Sequence, residues 1–163
     1  MKVVSFSIFK GGTGKTTTSV NTAAALVKKS KRVLLVDLDQ QASATRYLDL
    51  DPDQSPNLYD VFMGIKPAQL AIRQTKFGID VLASHVLLAA IEEALEPGDE
   101  FKLLDILNPL KPSYDYILID TPPGKAMLAF NGLAAADLIV IPASAERMAV
   151  DGVADLITQL ASS

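Results

Sequence analysis

The segment VVSFSIFKGGTGKTTTSVNTAAALVKK, residues 3–29, constrains the fold more than any other. Val3 to Phe9 is an apolar run that predicts a buried strand. Gly11, Gly12 and Gly14 break it into a loop, because glycine reaches backbone conformations that side chains forbid. Lys15 to Lys29 then predicts a helix, with Val20, Ala23, Ala24 and Val27 at helical spacing. Arg32 to Asp37, RVLLVD, is a second strand whose unbroken apolar run demands cover on both faces. Strand, helix and strand within 40 residues form a parallel crossover of right-handed sense.

The remainder continues the alternation. Pro52, Pro56 and their Asp and Ser neighbours mark turns before a short helix near Leu58–Met63. Ile79–Ala83 predicts a third strand, Val86–Leu95 and Glu100–Leu107 helices, and Tyr114–Ile119 a fourth strand that ends at Asp120. Lys125–Ala135 predicts a helix, Leu138–Pro142 a fifth strand, and Glu146–Leu160 a last helix. The expected fold class is therefore α/β. It is an open, mostly parallel twisted sheet of five strands with helices on both faces, in one domain over residues 1–163. Ligands of such sheets sit beyond the carboxyl ends of the strands. Lys10, Asp37, Asp120 and Pro142 all follow strand ends, so the motifs converge on one edge.

Composition narrows the chemistry. With 49% hydrophobic and 21% charged residues, the chain suits a soluble globular core, and no apolar run is long enough to span a bilayer. It has no cysteine, which excludes disulfides, thiolate metal sites and Cys-ligated iron–sulfur clusters. Residues 1–50 carry 8 basic and 3 acidic side chains, against 7 and 16 in residues 51–163. The positive part holds the glycine loop and suits an anionic ligand, although Lys28, Lys29, Lys31 and Arg32 read more simply as the solvated end of a helix.

The loop has a specific chemistry. Consecutive N–H groups from Gly11 through Thr17, Thr13 included, can surround phosphate oxygens, and the following helix adds its positive end. Lys15 is expected to reach the outer phosphates and the Thr16 hydroxyl to ligate Mg²⁺. The usual leading glycine is replaced by Phe9, and a second lysine, Lys10, stands at the loop mouth. Lys15 serves the chain's own phosphates, so Lys10 is free to address a nucleotide on a facing copy, as a trans-acting arginine finger does. Asp39 is expected to orient the attacking water and contact a Mg²⁺-bound water. Asp37 either supports the metal shell or loop geometry or caps a short helix near Ser43. Asp120 is expected to hold Mg²⁺ through water, and Thr121-Pro122-Pro123-Gly124 to sense the terminal phosphate. His85 reads as a capping or solvated histidine, and Glu92, Glu93 and Glu96 as a solvated helix face. Lys125 and Arg147 lie close to the same edge without a firm role.

KGGTGKTTTSVN, with Lys10 as its early lysine, resembles the deviant Walker A motif of the ParA/MinD family of ATPases. DLDQQASAT is similar to the switch that follows it in ParA proteins, and YDYILIDTPPG and ADLIVIPASAE are similar to the later segments in the same order. The resemblance implies a P-loop ATPase with ATP and Mg²⁺ as cofactors, a homodimer with ATP sandwiched between its halves, and slow hydrolysis stimulated by a ParB-like partner. It implies a bacterial or archaeal cytoplasmic protein, nucleoid-associated through DNA binding without sequence preference, that partitions plasmids or chromosomes or positions cargo. It carries roles onto Lys10, Gly11, Gly12, Gly14, Lys15, Thr16, Thr17, Asp39 and Asp120, with Lys10 as the signature lysine and Asp39 as the hydrolytic aspartate. Gln40-Gln41 stand where family members often have proline and glycine, and Pro-Pro-Gly replaces the frequent Pro-Pro-Ser. Family members usually continue past the helix ending near Leu160, with elements that contact adenine and DNA, which makes this chain an N-terminal part or a shortened homologue. A MinD-like membrane-associated division regulator, or a shortened nucleotide-binding domain with little activity, is the alternative.

Overall fold

A computed structural model of the chain describes residues 1–8, 12–143, 153–154 and 157–158. Three strands build the centre. β1 (Lys2–Phe6), β2 (Val33–Asp37) and β5 (Tyr116–Asp120) lie in the sheet order β3-β4-β2-β5-β1-β6, with β3 (Ile72–Gln74), β4 (Asp80–Leu82) and β6 (Leu138–Val140) completing it. All pairings are parallel except β3 with β4. In the central strands successive side chains feed two separate cores, as the two-residue period of a strand requires. Val3, Leu34, Val36, Ile117 and Ile119 face one core. Val4, Phe6, Val33, Leu35 and Leu118 face the other.

The helices divide between these faces. α1 (Lys15–Lys28) and α2 (Ser43–Tyr47) cover the second core through Val20, Ala23 and Ala44. α3 (Leu58–Phe62), α4 (Ala68–Ala71), α5 (Leu88–Ala94), α6 (Lys102–Leu107) and α7 (Met127–Ala134) cover the first, with Leu58, Ala71, Leu88, Leu103 and Leu128 buried. α1 stops where Ser30 turns left-handed at φ 58°. The Lys31 and Ser30 N–H groups then donate back to the Leu26 and Val27 carbonyls, which closes the helix end without glycine. α3 starts with a reciprocal cap in which Asn57 and Asp60 each accept the other's backbone N–H.

The α/β layering matches the sequence-predicted fold, with six strands instead of five. The added strand, β3, is a three-residue antiparallel edge preceded by α4, and both fall in the stretch 51–78 that carries no periodic signal. Arg73 stabilises it by donating to the Asp51 and Gln54 carbonyls across the preceding loop. The predicted helix Glu146–Leu160 lies outside the described residues except for Val153–Ala154 and Ile157–Thr158, which are helical.

One close approach fixes α7 to the sheet. A Cβ at Gly132 would stand 2.7 Å from Thr121 Cγ2, 3.2 Å from Leu38 Cδ1 and 3.3 Å from Ile119 Cγ2. Thr121 has little freedom to yield, because its hydroxyl donates to the Phe6 carbonyl at 2.8 Å. Gly132→Ala is therefore expected to lower stability by about 1–3 kcal/mol, the usual cost of overpacking, seen as a lower denaturation midpoint at unchanged slope. An unchanged midpoint would mean that α7 shifts freely on the sheet.

Candidate functional site

The sheet order sets the site. β5 lies between β1 and β2, so Asp120 is paired in register with Phe6 on one side and Asp37 on the other. Beyond β1, Gly12 and Gly14 take left-handed backbone angles, φ 73° and 85°, which admit glycine at little cost. Gly14 caps α1, and no side chain caps its first turn. Lys15 and Asp39 face a cleft of about 480 Å³ that is also walled by Gly12, Thr13, Thr16, Thr17, Ser43, Tyr47 and Pro123. Phe9, Lys10, Gly11 and Arg147 fall outside the described residues.

Lys15 is only 7% exposed. Burial lowers its pKa, and the carboxylates of Asp120 and Asp39 oppose the shift. Asp120 is fully buried, and neither of its oxygens has a well-formed hydrogen bond among the described residues. Burial pushes its pKa up to about 6. The Thr16 hydroxyl, then the Lys15 ammonium, lie close enough to oppose that rise, and Asp39 adds to it.

Asp37 is equally buried but fully partnered. Its carboxylate accepts the Thr45 N–H and the Thr45 hydroxyl, each at 2.8 Å, and the Asp39 N–H at 3.2 Å. Burial and then the neighbouring Asp120 push its pKa up to about 7. Capping and loop support are combined in Asp37: it accepts the N–H of the third residue of α2 and holds the loop that carries Asp39. The network continues through side chains that sequence reasoning missed. The Ser84 N–H donates to the Thr45 hydroxyl at 3.0 Å, and the Ser84 hydroxyl donates to the Asp39 carbonyl at 2.6 Å. Asp39 itself accepts the Gln41 N–H at 2.9 Å in a local turn. Ser84 follows β4, so its position at a strand's carboxyl end was the available signal.

Two expectations outside the cleft are corrected. His85 is neither a helix cap nor solvated: its Nδ1 accepts the Leu87 N–H at 3.1 Å in the turn before α5, which has no side-chain cap. Glu92 is not part of a solvated face. Its carboxylate accepts the Met127 and Leu128 N–H groups at the start of α7, whereas Glu93 and Glu96 are exposed. The spacing of a short helix carries no trace of a partner 35 residues away.

Among the described residues, no three His, Asp or Glu side chains group closely enough to hold a metal ion by themselves. The donors present are the buried Asp120 carboxylate, the adjacent Thr16 hydroxyl and the Asp39 carboxylate on the same cleft. That set suits a hard cation which keeps water and takes further oxygens from a phosphate ligand. No helix among the described residues is long and apolar enough to cross a membrane.

A family model described as an AAA domain matches residues 1–162. The chromosome partitioning protein ParA of Myxococcus xanthus is 38% identical over 159 residues, which is 95% of this chain and 56% of that protein. The sporulation initiation inhibitor protein Soj of Bacillus subtilis is 39% identical over 160 residues, 96% of this chain and 63% of that protein. The chain thus spans roughly three fifths of the length of these relatives. A cobyrinic acid a,c-diamide synthase from Mycobacterium smegmatis, solved with an ATP analogue and magnesium, superposes with a TM-score of 0.93 at 34% identity. The match covers 99% of this chain and 68% of that one. The glycine loop, the acids ending β2 and β5, and these matches together show that the chain belongs to the ParA-type family of P-loop ATPases.

Proposed function

We propose that this chain binds Mg-ATP in the cleft beyond β1, β2 and β5, pairs with a second copy around the nucleotide, and hydrolyses it slowly to drive partition or positioning of a cargo. The observation that carries the proposal is the convergence of Lys15, Asp39 and Asp120, from three separate segments, beside a left-handed glycine loop. Partition proteins among the relatives support the biological role. A stimulating ParB-like protein and a cytoplasmic location belong to the same proposal, and DNA bound without sequence preference and nucleoid association belong to a full-length form of it.

Each residue has a stated part. The N–H groups of Gly11 through Thr17 cradle the phosphates, and the buried Lys15 ammonium neutralises the outer ones. Thr16, Asp39 and Asp120 would hold Mg²⁺, which there offsets the negative charge of the β- and γ-phosphates. Asp39 orients the attacking water in line with the terminal phosphate, and the Asp37–Thr45–Ser84 network keeps its backbone in place. Lys10 reaches the nucleotide of the facing copy, a role that rests on its place in the sequence motif.

The residue roles are separable. Lys15→Ala should weaken ATP binding about tenfold to hundredfold, the worth of charged contacts to phosphate. Asp39→Ala should retain binding and lower turnover about a hundredfold or more. Calorimetry with a non-hydrolysable analogue and a phosphate-release assay read the two effects. Full turnover in Asp39→Ala would remove that residue from the mechanism. Pairing is read by light scattering with and without Mg-ATP. The mass should double with nucleotide, and Lys10→Ala should abolish the doubling while leaving affinity within about threefold. A monomer under saturating Mg-ATP would defeat the sandwich.

The acids also predict a pH response. Asp37 and Asp120 have folded pKa values raised to about 7 and about 6, above the 3.8 of an ordinary aspartate. Between those limits the folded chain holds more protons than the unfolded one, so stability falls as pH rises. The nucleotide-free protein should therefore melt several degrees higher near pH 5.5 than near pH 7.5. Mg-ATP should flatten this slope by favouring the charged form of Asp120. A rising slope in the nucleotide-free protein would contradict the burial of the pair.

A further inference from the structure

α7 begins without a cap of its own. Its flanking residue is Ala126, which has no side-chain acceptor for the free N–H groups of the first turn. Those groups are instead taken from a distance. One Glu92 oxygen accepts the Met127 N–H at 2.5 Å and the other accepts the Leu128 N–H at 2.8 Å. A negative charge at a helix N-terminus, bonded twice, is a strong form of capping.

The body of α7 is held by other means. Leu128, Ala129 and Leu133 are buried, and Asn131 accepts the Leu103 N–H at 2.9 Å while donating to the Met127 carbonyl at 3.0 Å. What Glu92 adds is therefore confined to the first turn. That turn directly follows the loop Pro122–Ala126, which runs from the Thr121 anchor through a left-handed Gly124 at φ 86°. Glu92, Pro122, Pro123 and Ala126 also line a cleft of about 160 Å³ together with Asp39, Gln40 and Gln41.

We propose that Glu92 is a positioning residue for ATP hydrolysis: by fixing where α7 begins, it sets the Pro122–Ala126 loop against the Asp39 loop. The proposal rests on the ATPase reading above. Asp120 and Lys15 are held by β5 and α1, neither of which Glu92 touches through these bonds. Of that loop only Pro123 walls the nucleotide cleft, so removal of Glu92 should alter turnover far more than nucleotide binding.

The test compares Glu92→Ala, Glu92→Gln and the exposed neighbour Glu93→Ala in the otherwise unaltered protein. Affinity for a non-hydrolysable ATP analogue, kcat, KM and amide exchange along α7 are measured. In Glu92→Ala, affinity and KM should stay within about twofold while kcat falls about fivefold to tenfold, the rate equivalent of losing one cap. Glu92→Gln should lie between, because it keeps one acceptor oxygen and turns an NH₂ toward the other N–H. Glu93→Ala should match the wild type. Exchange should quicken at Met127 and Leu128 and stay slow at residues 129–134. An unchanged kcat, a kcat loss matched by an equal loss of affinity, or faster exchange along the whole helix would overturn the proposal. A wild-type protein that binds but never turns over Mg-ATP would overturn the ATPase reading itself, and a normal wild type with an indifferent Glu92→Ala would overturn only this inference.

Discussion

Two carboxylates, Asp37 and Asp120, end neighbouring parallel strands in register, and both are fully buried. Burying an ionised carboxylate is expensive, and placing two side by side adds repulsion. The surrounding structure answers each in a different way. Asp37 receives three hydrogen bonds from Thr45 and the Asp39 backbone, so it is satisfied within the chain. Asp120 receives no well-formed bond among the described residues and faces the Lys15 ammonium. One acid organises the loop, and the other is left available at its centre.

The strand order explains why this pair meets the glycine loop at all. β5 comes late in the chain but enters between β1 and β2. Its carboxyl end therefore adjoins both the phosphate-type loop after β1 and the acidic loop after β2. Ligand sites at the carboxyl ends of open parallel sheets arise from such insertions, because loops from adjacent strands diverge to opposite faces there. Here the loops after β1 and β2 lead to α1 and α2 over one core, whereas the loop after β5, which lies between them, leads to α7 over the other, so the cleft opens where β5 and its neighbours diverge.

Much of this was legible in the sequence, for local reasons. β2 announces itself because a strand covered on both faces is almost wholly apolar, here from Val33 to Val36, and all five of its residues through Asp37 are buried. The glycine loop and the acids after β2 and β5 are readable because each sits at a change of pattern. β3 and α4 were not, since elements of three and four residues are too short to show a period. The parts of Thr45, Ser84 and Glu92 were hidden for another reason. Their partners lie 8 to 45 residues away, and only the folded sheet brings them together. Asp37 shows the limit from the other side: capping and loop support looked like alternatives in sequence, and one carboxylate with two oxygens performs both.

The contrast between the two acids bears on what the cleft is for. If Asp120 were purely structural, the fold had a ready solution in view one strand away, where a threonine side chain and backbone N–H groups neutralise the cost of Asp37. Asp120 receives no backbone N–H and no well-formed bond among the described residues. Its two buried oxygens sit near the Thr16 and Ser19 hydroxyls and the Lys15 ammonium, and of these Thr16 and Lys15 also line the open cleft. An unpaired buried carboxylate is a standing penalty of several kcal/mol in a chain whose whole stability is only about 5–15 kcal/mol. Such a penalty is tolerable where a cationic ligand removes it on arrival. Stability not spent on Asp120 in the empty state is then returned as affinity in the filled one, and this ties the folding energetics of β5 directly to the proposed function of the site.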